Sequence, residues 1–276
     1  MSFTSAFATD VVPIDRDNNS FVDLIYATDI GGRVWRFDLE EENTSKSDFA
    51  TAGVIADINM NSSGITIANR RFYNRPDVSI IRENGKEVVI INVGSGYRAH
   101  PRTTSESDYQ FVIRDENARI TPTTYKRVTF SDLATWNSTD TQTGGWKIPL
   151  AKGEKILSAS VTYKGTTFFT TYTPNDATLS CSANTGQGKL YSFNIYQKDV
   201  GVTAAADCCG EGIPSEPSVP IFSPKASTDV TDQDPTGAGT PDSCSNASAT
   251  VMVGTRAIKG SFNQCNALDK TYWKEN

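Results

Sequence analysis

Apolar side chains in this chain recur at every second position, or in short unbroken runs, far more often than at helical spacing. LIYATD, a Gly31-Gly32 turn and RVWRFDL read as one hairpin. VSIIRENGKEVVIINVGSG reads as a second, turning at Asn84-Gly85, and continues into YQFVIRD. A third unit begins at WKIPL, turns at Lys164-Gly165 within SASVTYKGTTFFTTYTP, and ends in GKLYSFNIY. ATVMVGTRA begins a fourth. Helical patterning is scarce, with one short turn predicted over Phe130 to Asn137, preceded or capped by Ser131.

Three of these units close on a strand of similar make-up, RVWRFDL, YQFVIRD and KLYSFNI. Several antiparallel sheets of similar length, strung along one chain with aromatic outer strands, predict an all-β fold. Blades of a modified β-propeller fit this better than a barrel or a sandwich. Three to four blades do not close a ring, so the expectation is a partial or open propeller. Residues 199–249 are dominated by Pro, Gly, Ser, Thr and Asp, and read as a long insertion loop, with 1–276 expected to be the C-terminal part of a β-propeller domain. PSVPIF, inside it, is a candidate edge strand.

Charge and composition narrow the partners. A chain of 276 residues with net charge −6 and no dense block of Lys and Arg is a poor match for nucleic acid or an anionic membrane. No apolar run approaches the length needed to cross a bilayer, and MSFTSAFATD lacks the basic start and apolar stretch of a secretory leader. Five cysteines, at 181, 208, 209, 244 and 265, lie among small polar residues in the C-terminal half. That distribution predicts disulfides formed in an oxidising compartment rather than a zinc site, since no CxxC pair is present. Cys244 with Cys265, and Cys181 with Cys208 or Cys209, are the economical pairings, which leaves one thiol over.

The strongest chemical signal is DRDNNSFVD, residues 15 to 23. It places oxygen-bearing side chains at positions one, three, five and nine of a polar loop: Asp15, Asp17, Asn19 and Asp23. Position seven, Phe21, would offer its main-chain carbonyl. Three carboxylates this close repel one another without a cation, so the spacing predicts a hard divalent metal. Calcium suits a flexible loop of protein ligands better than magnesium does. The loop is not an EF-hand, because Ser20 and Tyr26 stand where that motif carries Gly and a bidentate Glu. It opens onto the β-type run LIYATD, and is therefore EF-hand-like only in its loop.

Other motifs carry less. His100 is the single histidine, and with no nucleophile placed by a recognisable motif it reads as loop packing. Gly94 and Gly96 lack the strand-to-helix context of a phosphate loop and read as a tight bend. Asp29, Gly32 and Trp35 are similar to the Ala-x-Asp…Gly…Trp repeat of quinoprotein dehydrogenases, but the motif occurs once and is one residue short. Trp35 is expected as a buried wedge between sheets. No enzymatic activity is expected.

Taken in order, DRDNNSFVDLIYATDIGGRVWRFDL, GSGYRAHP, FTTYTP before Cys181, GIPSEP and the terminal TYWKE resemble the C-terminal domain of the PilC/PilY family, type IV pilus biogenesis factors and tip adhesins. That resemblance implies a modified β-propeller with calcium on Asp15, Asp17, Asn19, Phe21 and Asp23, its occupancy regulating pilus extension and retraction. It also implies adhesion to host or abiotic surfaces, pilus-tip or minor pilin partners, and a location at the pilus tip, cell surface, outer membrane or periplasm of a Gram-negative bacterium. Two other classes stay open: a quinoprotein-like propeller oxidoreductase, and a surface lectin or adhesin whose calcium is purely structural.

Overall fold

A computed structural model describes residues 3–40, 49–117, 119–139, 143–175, 185–196, 201–205, 209–220 and 250–259. Among the described residues, four sheets hold all the β-strands. The first joins β1 (Val12–Ile14), β2 (Leu24–Thr28), β3 (Arg33–Leu39), β4 (Ala50–Asp57) and β8 (Val128–Thr129), in that spatial order. β5 (Asp77–Glu83), β6 (Lys86–Gly94), β7 (Tyr109–Asp115), β10 (Gly145–Pro149) and β9 (Ala134–Thr135) form the second. β11 (Val161–Tyr163), β12 (Thr166–Thr173), β13 (Gln187–Asn194) and β14 (Thr203–Ala205) form the third, and β15 (Pro217–Ser218), β16 (Thr250–Val253) and β17 (Arg256–Lys259) the fourth. Pairing is antiparallel except where β8 joins β4 and β9 joins β10. Among the described residues no helix is long and apolar enough to cross a membrane.

Turn chemistry accounts for the hairpins. Asn84 and Gly85 both take positive φ, 48° and 78°, and so do Lys164 and Gly165, at 48° and 76°. Two consecutive left-handed residues twist a two-residue turn to match the flanking strands. Three assignments differ from the sequence reading. WKIPL is the strand β10, the fourth of the second sheet in spatial order, where it pairs with β7 rather than opening the third sheet. The predicted helical turn is a 3-10 segment of only Phe130–Asp132, and its N-cap is Thr129, whose backbone N–H and hydroxyl both donate to Asp132. Residues 50–57 form a full strand that weak patterning concealed. PSVPIF does contribute an edge strand, β15, paired with β16. Most of the expected insertion at 199–249 lies outside the described residues, as do Cys181, Cys208, Cys244 and Cys265, so the expected pairings fall outside them too.

The sheets pack face to face in chain order. Val89, Ile91, Val93, Phe111 and Ile113 of the second sheet meet Tyr26, Val34 and Ala56 of the first. From the opposite face Val88, Ile90 and Val112 meet Phe169 and Phe193 of the third sheet. Phe168 and Leu190 then meet Val251 and Val253 of the fourth. Burial on both faces is why the run VVIINV shows no polar alternation: adjacent side chains point to two different cores. Each such side chain contributes about 1.5–3 kcal/mol when fully buried.

Most polar groups inside these interfaces are paired, although Asn92 Oδ1, buried between the second and third sheets, has no hydrogen-bond partner among the described residues. Arg36, on the inward face of β3, is 1% exposed. It donates to Asp38 at 2.5 and 2.9 Å, to Asp115 of the second sheet at 2.8 Å, and to the carbonyls of Asn117 and Ile120 at 2.9 and 2.8 Å. Tyr26 donates its hydroxyl to Asp115 at 2.8 Å, and Tyr125 donates to Asp38 at 2.7 Å. Burial pushes the Tyr26 phenol well above its ordinary range, and the Asp115 charge adds to the shift. Between the second and third sheets, Asp77 accepts from Thr162 and from Asn92. Burial raises its carboxyl from 3.8 to about 6, against the opposing hydrogen bonds from Thr162 and Asn92.

Two predictions follow from these buried charges. Arg36→Met should cost about 3–5 kcal/mol in urea unfolding, because it strands the Asp38 and Asp115 carboxylates in an apolar interface. Asp77 holds its proton in the folded chain up to about pH 6 and releases it near 3.8 when unfolded, so its stability contribution is fully present below about pH 4 and declines as pH rises to 6. Asp77→Asn should remove that decline, a difference of about 3 kcal/mol between the two proteins at neutral pH relative to acid. Parallel urea titrations across this pH range check it.

Candidate metal loop

Ile14 pairs with Leu24, so residues 15–23 form the hairpin loop between β1 and β2. The Asp23 amide donates to the Ile14 carbonyl at 2.9 Å and closes the neck. Above the neck the chain must turn without a ladder, and short acidic side chains satisfy the backbone instead. Asp15 accepts from the amides of Asn18, Asn19 and Ser20 at 2.6, 3.1 and 2.8 Å. Asp17 accepts the Asn19 amide at 3.1 Å, Asn19 accepts the Phe21 amide at 2.8 Å, and buried Asp23 accepts the Arg16 amide.

This wrapping brings carboxylate oxygens of Asp15, Asp17 and Asp23 within 4.8 Å of one another. Asn19 lies against the group, donating its side-chain amide to Asp17 at 3.1 Å. The Phe21 side chain is 63% exposed and takes no part in the core. Three close carboxylates on an oxygen-only loop fit a hard divalent cation such as calcium, which takes six to eight oxygens. Asp15, Asp17, Asn19, Asp23 and the Phe21 carbonyl are the groups that would hold it. Ser20 stands at position six with φ 79°, the conformation for which EF-hand loops use glycine.

The neighbouring hairpin is stiffened by a second aspartate. Asp29, fully buried, accepts the Gly31 and Arg33 amides at 2.9 and 3.1 Å and the Trp35 indole N–H at 2.8 Å. Trp35 is buried as expected, but not between sheets. It lies on the outer face of β3 under Phe3 and Phe7, whose ring centroids are 5.1 and 5.9 Å away. His100 is exposed and stands edge-on to Tyr97 at 4.7 Å. Gly94 and Gly96 serve close approach rather than a bend: a Cβ there would come within 2.3 Å of the Ile156 side chain and 2.4 Å of its carbonyl.

Fold and loop together define an all-β protein of several antiparallel sheets, the first of which carries an acidic hairpin loop at its edge. The chain is similar in structure to the C-terminal domain of Pseudomonas aeruginosa PilY1, with a TM-score of 0.50 and 15% sequence identity. The match covers 91% of this chain and 60% of that one, so this chain spans less than two thirds of its neighbour. No family model matches the sequence, and no curated protein matches it significantly. At this identity the likeness is one of fold.

Ser20→Gly should relieve the left-handed strain at position six and raise stability by about 0.5–1 kcal/mol, read as a shift in the urea midpoint at constant slope.

Proposed function

We propose that this chain is a non-enzymatic calcium-binding module of a type IV pilus biogenesis or tip adhesin protein, its four sheets being blades of a partial, modified propeller. The observation that carries the reading is the hairpin loop of residues 15–23, which gathers three carboxylates at the edge of the first sheet. The fold-level likeness to the PilY1 C-terminal domain supports the pilus context. On this reading the protein works at the pilus tip or cell surface of a Gram-negative bacterium, with minor pilins and host or abiotic surfaces as partners.

The physical logic of regulation is local. A bound cation neutralises Asp15, Asp17 and Asp23 and ties the loop to its neck, where Asp23 is both a ligand and the residue before β2. β2 carries Tyr26 and pairs with β3, which carries Arg36, so ordering the loop stiffens the strands that hold the first sheet to the second. Calcium occupancy then changes the rigidity of the first sheet, and through it pilus extension and retraction.

Calorimetric titration should give a dissociation constant of about 10⁻⁷ to 10⁻⁵ M, and Asp17→Ala should remove most of the heat. At calcium a thousandfold above that constant, the gain in stability over chelator should be about 4 kcal/mol. Equal heats for mutant and wild type, or a melting midpoint indifferent to chelator, reject the assignment.

A further inference from the structure

A cleft of about 380 Å³ opens where the segments leading into all four sheets converge. Residues 8–10 run into β1, 73–75 into β5, 157–159 into β11, and 213–216 into β15. Four segments far apart in sequence thus share one wall, and the segments before β5 and β15 are each hydrogen-bonded to a strand of the preceding sheet. Thr28 donates to the Asn74 carbonyl at 2.9 Å, and Thr170 to the Ser215 carbonyl at 3.1 Å. Arg75 pairs with Glu216 at 2.9 Å. The volume lies within the range of small-molecule sites.

Two arginines and two acids line this cleft, and Arg75 and Glu216 pair with each other. Arg98 gives one hydrogen bond, to the Leu157 carbonyl at 3.2 Å, and has no carboxylate partner among the described residues. Its guanidinium fork is left to bind a carboxylate bidentately. Asp10 lines the same cleft and also has no side-chain partner among the described residues, while Glu216 is engaged with Arg75. Two arginines and two acids leave the cleft without net charge, which gives a phosphate or a polyanion no attraction. A ligand with one negative charge and several hydroxyls suits the cleft, because the hydroxyls can donate to Asp10 and Glu216 while the carboxylate meets Arg98. Tyr73 adds an aromatic wall, held in place by stacking on Tyr97 at 6.2 Å, which in turn carries the Arg71 guanidinium at 4.1 Å.

We infer that this cleft is a binding site for an acidic monosaccharide of the uronate type, with Arg98 on its carboxylate, Asp10 and Glu216 on its hydroxyls, and Tyr73 against its ring. The inference rests on the cleft alone and is independent of the calcium loop. The test is titration of the full chain with glucuronate, glucose and acetate, followed by ligand-observed NMR. Glucuronate should bind, and glucose and acetate should each bind at least about tenfold more weakly. Arg98→Gln should weaken glucuronate at least about tenfold, with Arg98→Lys recovering part of the loss, at an unchanged melting midpoint. Should Arg98→Gln fail to fold, Asp10→Asn serves in its place, weakening glucuronate while leaving acetate as it was. No binding of glucuronate by the wild type overturns the proposal. So does acetate binding as well as glucuronate, which leaves the hydroxyl wall without a role, or glucose binding as well, which leaves Arg98 without one.

Discussion

Burial of the second sheet on both faces is the constraint from which the remaining architecture follows. Odd-numbered residues of β6 enter one core and even-numbered residues another, so the sheet must have a sheet on either side. The first and third sheets fill those places, and the fourth covers the far face of the third through Phe168 and Leu190. Antiparallel sheets commonly leave one face to solvent. Here the central one does not, and face-to-face stacking in chain order is the result.

Burying a polar group in such an interface costs free energy unless it is hydrogen-bonded. Arg36 shows how this is met. Its five donors reach two carboxylates and two carbonyls drawn from the first sheet, the second sheet and the loop after β7. The pairing adds register as well as energy, since a slip of one residue on β3 would carry Arg36 to the outer face, where Trp35 now lies. Asp77 is the weaker case, because its partners are neutral hydroxyl and amide groups, and burial holds its proton to about pH 6.

A rigid stack places its variable chemistry on connections. The acidic loop is a hairpin connection at the edge of the first sheet, where nine residues can wrap an ion without disturbing the ladder below Ile14 and Leu24. The mixed-charge cleft is assembled from connections at the entry of every sheet. One element is local and the other is global, and the difference governs how far each can be read from the chain.

Alternation, turn pairs and the spacing of carboxylates are properties of neighbours in sequence, and these determined the all-β class, the hairpins at Asn84-Gly85 and Lys164-Gly165, and the grouping of Asp15, Asp17 and Asp23. Strand membership was less legible. Gly53 is a glycine because the Tyr125 ring lies over it, where a Cβ would come within 2.1 Å, and with ATAG at its start β4 shows little β pattern of its own. Partners distant in sequence were decided only by tertiary structure: β10 beside β7, Trp35 under Phe3 and Phe7, Arg36 on Asp115, and Arg98 in one cleft with Asp10. The physical reason is that a residue's local pattern records which face it buries, whereas what lies against that face depends on chain segments dozens of residues away.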